Sequence, residues 1–229
     1  MKKKYLISGM LVIALGAIAF CAFAVNEKAD VSETSVSGQQ TPVTVSRTEG
    51  KVLVAYFSVP ETDGVDASSG ASRLVTDGKL QGNTEYVATV VSEATGGELF
   101  EIKTVHTYPG SHKALIDAAK KESDENARPK LATHIRSLKE YDVIFVGFPN
   151  WWYDMPKPLY TFFDEYDFSG KTVVPFCTHG GSRFSSAIKT IREMEKNATV
   201  LDGYAIARDR VGNSKEGILK WLERIGMKK

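Results

Sequence analysis

Val143-Ile144-Phe145-Val146-Gly147-Phe148 runs without a break into Pro149-Asn150-Trp151-Trp152-Tyr153-Asp154-Met155-Pro156. A continuous apolar run of this length, closed by Pro, is what a strand buried on both faces requires. Such strands occur in parallel sheets covered by helices on either side. Val52-Leu53-Val54-Ala55-Tyr56-Phe57 has the same character, and shorter strand signals follow at 98–102, 172–177 and 199–206. Helical patterns alternate with them at 82–97, 111–126, 156–163, 185–194 and 214–225. The alternation predicts one α/β domain, a doubly wound five-stranded parallel sheet with helices on both faces, and no internal repeat.

Ligands of such sheets sit beyond the carboxyl ends of the strands, so the segments following the strands carry the functional reading. After the first comes Ser58. An insertion from Val59 to Gln81, rich in Gly, Ser and Asp, separates it from Gly82-Asn83-Thr84 at a helix start. Hydroxyls and unpaired N–H groups at a helix N-terminus form an anion site. A plain N-cap uses the same residues and is the blander alternative. No P-loop Lys and no G-x-G-x-x-G follows the strand, which disfavours triphosphate hydrolysis and ordinary dinucleotide binding. The insertion reads equally as a mobile lid or a surface excursion.

The third strand ends in Pro149, Asn150, Trp151, Trp152 and Tyr153. Three adjacent aromatics past a strand end are expected to lie outside the core and to stack on a planar ring; a loop folded back on its own domain, or a dimer contact, is the alternative. After the fourth strand come Cys177-Thr178-His179-Gly180-Gly181-Ser182, where the Gly pair allows close backbone approach and Thr178, His179 and Ser182 offer hydrogen bonds. Cys177 closes a buried strand and reads as a core thiol in preference to a nucleophile with His179 as its base. His106, His112 and His134 have no metal-ligand spacing, and no metal site is expected.

The 229 residues are 42% hydrophobic and 25% charged, the composition of an ordinary globular protein. The net charge of +1 gives no basic excess, so no nucleic-acid partner is expected, and two Cys exclude a disulfide framework. Residues 1–24 read as an export leader: Lys2, Lys3 and Lys4 precede an apolar run of 20 residues ending in Ala22-Phe23-Ala24. Cleavage after Ala24 is the first choice, a retained membrane anchor the second, and lipidation of Cys21, behind a bulky Phe20, the third. Loss of the three lysines turns the charge to −2. Residues 25–50 read as a flexible linker and 51–229 as the domain, placed in the periplasm or outside the cell, at a membrane only if the leader is retained. Asn197-Ala198-Thr199 matches a glycosylation acceptor by accident in a chain with such a leader.

Tyr56-Phe57-Ser58, Gly82-Asn83-Thr84, Pro149-Asn150-Trp151-Trp152 and Phe176-Cys177-Thr178-His179-Gly180-Gly181 together resemble the flavodoxin family over roughly residues 51–226. The resemblance implies a sheet ordered 2-1-3-4-5 that binds flavin mononucleotide (FMN). It implies that Ser58, Gly82, Asn83 and Thr84 hold the phosphate and that Pro149, Asn150, Trp151, Trp152 and Tyr153 border the isoalloxazine. Thr178, His179, Gly180, Gly181 and Ser182 would close its other side. The family usually runs from Ser58 to Gly-Asn-Thr unbroken, so the 23-residue insertion makes Ser58 the weakest of the phosphate assignments. No protein group is assigned as a chemical catalyst, because the flavin carries the electrons. Three functions stay open: electron transfer to a redox partner protein or a small acceptor such as a quinone, an FMN-dependent NAD(P)H:quinone-type reductase, and an exported binding module without flavin. Electron shuttles of the family are strongly acidic, and this near-neutral chain is not.

Overall fold

The computed structural model describes residues 50–63 and 73–229. The leader expected at 1–24, the linker at 25–50 apart from Gly50, and the middle of the insertion lie outside the described residues. In chain order the elements are β1 (Lys51–Tyr56), β2 (Leu74–Thr76), β3 (Lys79–Gln81), α1 (Asn83–Thr95), β4 (Glu98–Glu101), α2 (His112–Asp124) and β5 (Tyr141–Pro149). They continue with α3 (Lys157–Glu165), β6 (Thr172–His179), α4 (Ala187–Met194), β7 (Thr199–Val200), β8 (Tyr204–Ala207) and α5 (Lys215–Arg224). Short 3₁₀ segments at Leu138–Glu140 and Arg208–Asn213 precede β5 and α5. Among the described residues no helix is long and apolar enough to cross a membrane.

The central sheet runs β4-β1-β5-β6-β7, with β8 also on β6, and every pairing in it is parallel. This is the expected 2-1-3-4-5 order, its fifth strand divided in two. Alternation along β1 explains the two-sided core. Leu53, Ala55 and Phe57 join the α2, α3 and α4 side, with Leu115, Leu159, Phe162 and Ile191. Val54 and Tyr56 join the α1 and α5 side, with Val87, Val91, Ile218 and Leu222.

The division of the fifth strand has a backbone cause. Leu201 N donates to Val173 O at 3.0 Å, so that stretch of β6 turns its odd-numbered backbone groups toward the fifth strand. The next such residue is Pro175, which has no N–H to give. There residues 201–203 leave the ladder, and pairing resumes at Phe176 with Tyr204. Gly203 makes the detour at φ +74, where a Cβ would collide with Pro175 O.

Gly147 in β5 is equally constrained, because a Cβ there would fall within the ring of Phe176, itself fully buried. Gly147→Ala is therefore expected to cost about 1–3 kcal/mol through overpacking. Urea unfolding checks this, and an unchanged midpoint would contradict the tight β5–β6 packing.

Of the insertion, the described parts are ordered at both ends. Thr62 N donates to Gly110 O at 2.8 Å, His112 N to Asp63 Oδ2 at 2.7 Å, and His112 Nδ1 lies 2.9 Å from Glu61 Oε1. Asp63 thus supplies the acceptor that the first turn of α2 lacks. At the other end β2 and β3 form an antiparallel hairpin around Asp77-Gly78, both at positive φ, the turn for which that dipeptide is suited. At the amino edge of the sheet, Gly50, Lys51, Gly226 and Lys229 line one cavity, and Lys229 N bonds Ala94 O at 3.0 Å.

Candidate functional site

α1 begins at the carboxyl edge with Gly82 as its N-cap, and Glu85 Oε2 accepts the Gly82 N–H at 3.3 Å. Asn83 and Thr84 consequently lie inside the first turn and are not caps; Gly82 has no side chain to give, and the one side-chain cap is the Glu85 carboxylate on the Gly82 N–H. Asn83 is 1% exposed, yet neither its amide oxygen nor its amide nitrogen has a hydrogen-bond partner. The Ser58 hydroxyl, two residues beyond β1, is buried and equally unpartnered. A buried amide with neither end satisfied costs stability unless something else occupies that place. Beside a helix N-terminus, the chemistry of these donors suits an anion.

Thr178 gathers the sequence-distant motifs. Its hydroxyl lies 2.8 Å from that of Thr84, both fully buried, and its carbonyl accepts Asn150 N–H at 2.8 Å. Pro149, the last residue of β5, pairs with it in register. Asn150 then reaches the next loop, donating from Nδ2 to Arg183 O at 2.8 Å and to Ser185 Oγ at 3.4 Å. Ser186 donates from both N and Oγ to Tyr153 O.

Between Trp151 and Asp154 the chain makes a two-residue reverse turn, each backbone N–H donating to the other's carbonyl at 3.0 and 3.1 Å. Its central residues, Trp152 and Tyr153, take φ +51 and +64. Positive φ at both positions favours Asn-Gly, and two aromatics there hold the backbone under strain. The turn projects Trp152 and Tyr153 to the surface, 44% and 67% exposed. Trp152 is aimed by its Nε1–H, which donates to Ile116 O at 3.1 Å.

The expectation that all three aromatics lie outside the core fails for Trp151. Its ring is 6% exposed and packs edge-on against Phe57 and Tyr108, with centroids 5.3 and 5.4 Å away. The turn after β5 folds it back under the strand end. Its Nε1–H is buried and has no acceptor.

A cavity of 330 Å³ opens here, walled by Asn150, Trp151, Trp152 and Tyr153, by Gly180 and Ser182, and by Leu115, Ile116 and Ala119 of α2. That is within the size range of small-molecule sites. The loop motifs do not announce the α2 wall, because Leu115 and Ala119 lie in the 111–126 helical pattern and not in a segment following a strand. Ser58, Gly82, Asn83 and Thr84 do not line this cavity; the link between the two places is the Thr84–Thr178 hydroxyl pair.

His179 ends β6, and its Nδ1 accepts the Gly181 N–H at 3.0 Å. Burial, with the Arg183 guanidinium beside it, holds the imidazole below the usual histidine range, and Asp209 acts weakly the other way. Cys177, on the same strand, is fully enclosed in the α2–α4 side of the core, and burial pushes its thiol well above the ordinary range. It has no thiolate character at neutral pH and makes no pair with His179.

A family model described as flavodoxin matches residues 72–225. The structure of a candidate flavoprotein from Bacteroides uniformis is 32% identical, covers 76% of this chain and 98% of its own, and has a TM-score of 0.59. A second candidate flavoprotein, from Bacteroides eggerthii, is 26% identical over 78% of this chain and 99% of its own, with a TM-score of 0.57. A Lactobacillus acidophilus flavoprotein in complex with FMN shares the fold at 21% identity and a TM-score of 0.51, covering 73% of this chain and 99% of its own. No curated protein gives a significant match.

Proposed function

The chain belongs to the flavodoxin family, and on that premise we propose that it binds FMN without a covalent bond and transfers electrons through it. The observation that carries the reading is Asn83, buried with both amide atoms unsatisfied in the first turn of α1. Asn83, Thr84 and Ser58 hold the phosphate, with the N-terminal end of the α1 dipole supplying positive potential without a cationic side chain. Trp151, Trp152 and Tyr153 bound the isoalloxazine on one side, and Gly180, Gly181 and Ser182 on the other. Bound FMN supplies the electron-accepting ring, and its potential is set by the hydrogen bonds and stacking around it. The residues bind, orient and exclude water: α2 closes the apolar wall, Trp151 offers a buried N–H, and His179 offers a donor at Nε2.

The charge balance favours a small acceptor such as a quinone over docking by an acidic field. A formal charge between +1 and −2 leaves little long-range steering toward a cationic partner protein. The leader-like start supports export, with FMN captured after translocation, since a site assembled from distant strand ends does not exist in an unfolded chain.

The test is direct. Protein stripped of cofactor is expected to take up one equivalent of FMN, quenching its fluorescence, and to turn yellow. Absence of uptake would leave the fold in service of another ligand. With FMN bound, turnover of NAD(P)H with a quinone distinguishes a reductase from a carrier.

A further inference from the structure

The segment from His179 to Ser186 forms one wall of the cavity. Gly180 and Ser182 face the cavity on either side of Gly181. Gly181 takes φ +141, which glycine allows, while Arg183 at +53 and Ser185 at +48 hold the backbone in the left-handed region that side chains disfavour. It is held by Asn150 Nδ2 on Arg183 O and Ser185 Oγ, by Ser185 N and Oγ on Ser182 O, by Ala187 N–H on Phe184 O, by Ser186 on Tyr153 O, by Phe184 edge-on to Phe148, and by Gly181 N–H on His179 Nδ1. Only the last runs through a group that titrates near neutrality.

Resting on the flavin reading above, we propose that His179 is a proton-sensitive latch. Its neutral ring holds the 179–186 loop in the shape that encloses the flavin, and protonation releases the loop and weakens binding. The argument begins with the tautomer. A ring nitrogen that accepts an N–H carries no proton, so the neutral ring is protonated at Nε2. Nε2 has no protein partner among the described residues and is free to donate to bound FMN. A second proton can enter only at Nδ1, where it meets the Gly181 N–H head on and ends that bond. It also sets a cation beside Arg183 on the same loop. The opposing charge is Asp209, on the 3₁₀ segment after β8. Burial and Arg183 outweigh it, so the ring takes its proton below the ordinary 6.5.

The sign follows. Well above 6.5 the ring is neutral in every state, and the latch is closed. As the pH falls, the unfolded or open form binds the proton first, and the closed form loses its advantage as pH passes through the lowered value. His179 is a positioning residue in this account, since it acts on the wall through Gly181.

Two measurements on the full-length chain decide it. In ligand-free protein labelled with ¹⁵N-histidine, Nδ1 of His179 is expected to show the resonance of a bare ring nitrogen and Nε2 that of a protonated one. The Gly181 amide is expected to shift with the same midpoint as the ring, below 6.5. A bare Nε2, or a Gly181 amide indifferent to the titration, overturns the latch, whether or not FMN binds. For binding, the ratio of FMN Kd at about pH 5 to that at about pH 8 is compared between wild type and His179→Gln, which has no proton to gain. Loss of one neutral hydrogen bond predicts a wild-type ratio about fivefold larger. Equal ratios overturn the proposal. Failure of wild type to bind FMN at the higher pH counts against the flavin reading, and the nitrogen spectra still decide the latch.

Discussion

Asn83→Ala is expected to weaken FMN binding by about 2–3 kcal/mol, roughly 30- to 140-fold, without loss of stability in the ligand-free protein. The two halves of the result have one cause. Asn83 is buried with both ends of its amide unsatisfied, so in the free protein it is a desolvated polar group without compensation. Removing it relieves that cost, and Ala at the first position of α1 is the better helix former. The small cavity left behind works in the opposite direction, so the expected net gain is no more than about 1 kcal/mol. With phosphate present the balance reverses, because the amide N–H₂ then donates to a charged acceptor. Asn83→Asp sharpens the contrast. A carboxylate in that place repels the phosphate and abolishes binding more completely than Ala does. FMN titration and urea unfolding of stripped protein provide both numbers. A clear loss of stability in Asn83→Ala with unchanged affinity would make Asn83 a structural residue and remove the main support for the phosphate site.

Trp151→Ala is expected to be the most destabilising change at the carboxyl edge, costing about 3–5 kcal/mol. The ring fills the space between Phe57 and Tyr108, edge-on to both. Trp151→Phe separates packing from chemistry. It keeps most of the apolar contact and discards a buried N–H that has no acceptor, so the loss of stability falls to about 1 kcal/mol. If that N–H donates to the flavin, Trp151→Phe also weakens FMN by about fivefold. Thermal unfolding and FMN titration of the two variants are the measurements. Equal stability losses in both would mean that the indole N–H is satisfied in solution. Trp152, at the exposed turn, is expected to change stability far less on truncation.

The parts of the fold legible in the sequence are those encoded by local pattern. The apolar runs at 52–57 and 143–148 announce strands buried on both faces, and the strand order follows once the family is recognised. The break in the fifth strand was also present, in Pro175, but only register shows which neighbour a missing N–H deprives. Asp77-Gly78 marks a hairpin turn that the low complexity of the insertion obscured. At the site, the motifs name the loops but not which side chains turn inward. Trp151 and Trp152 are adjacent and identical, and a turn at positive φ sends one into the core and the other to solvent. Leu115 and Ala119 show helical periodicity, which reports a face covered by something and is silent about what. Asn83 reads as a cap until the helix start is fixed at Gly82, after which its amide has no local use.

Both chain ends of the described domain lie at one pole. Lys51 opens β1 and Lys229 packs beside it, around the same cavity at the amino edge. The loops proposed to hold FMN lie at the opposite pole, one strand length away, about 20 Å for the six residues of β1. Anything attached at either end, whether a fused reporter, an affinity handle or a thiol linker to an electrode, is therefore held on the far side from the flavin. Immobilised in this way the molecule presents the proposed flavin pole outward, with the sheet itself as the spacer. The same proximity of the ends suits the domain to circular permutation, in which Lys229 is joined to Lys51 and new ends are opened in the insertion.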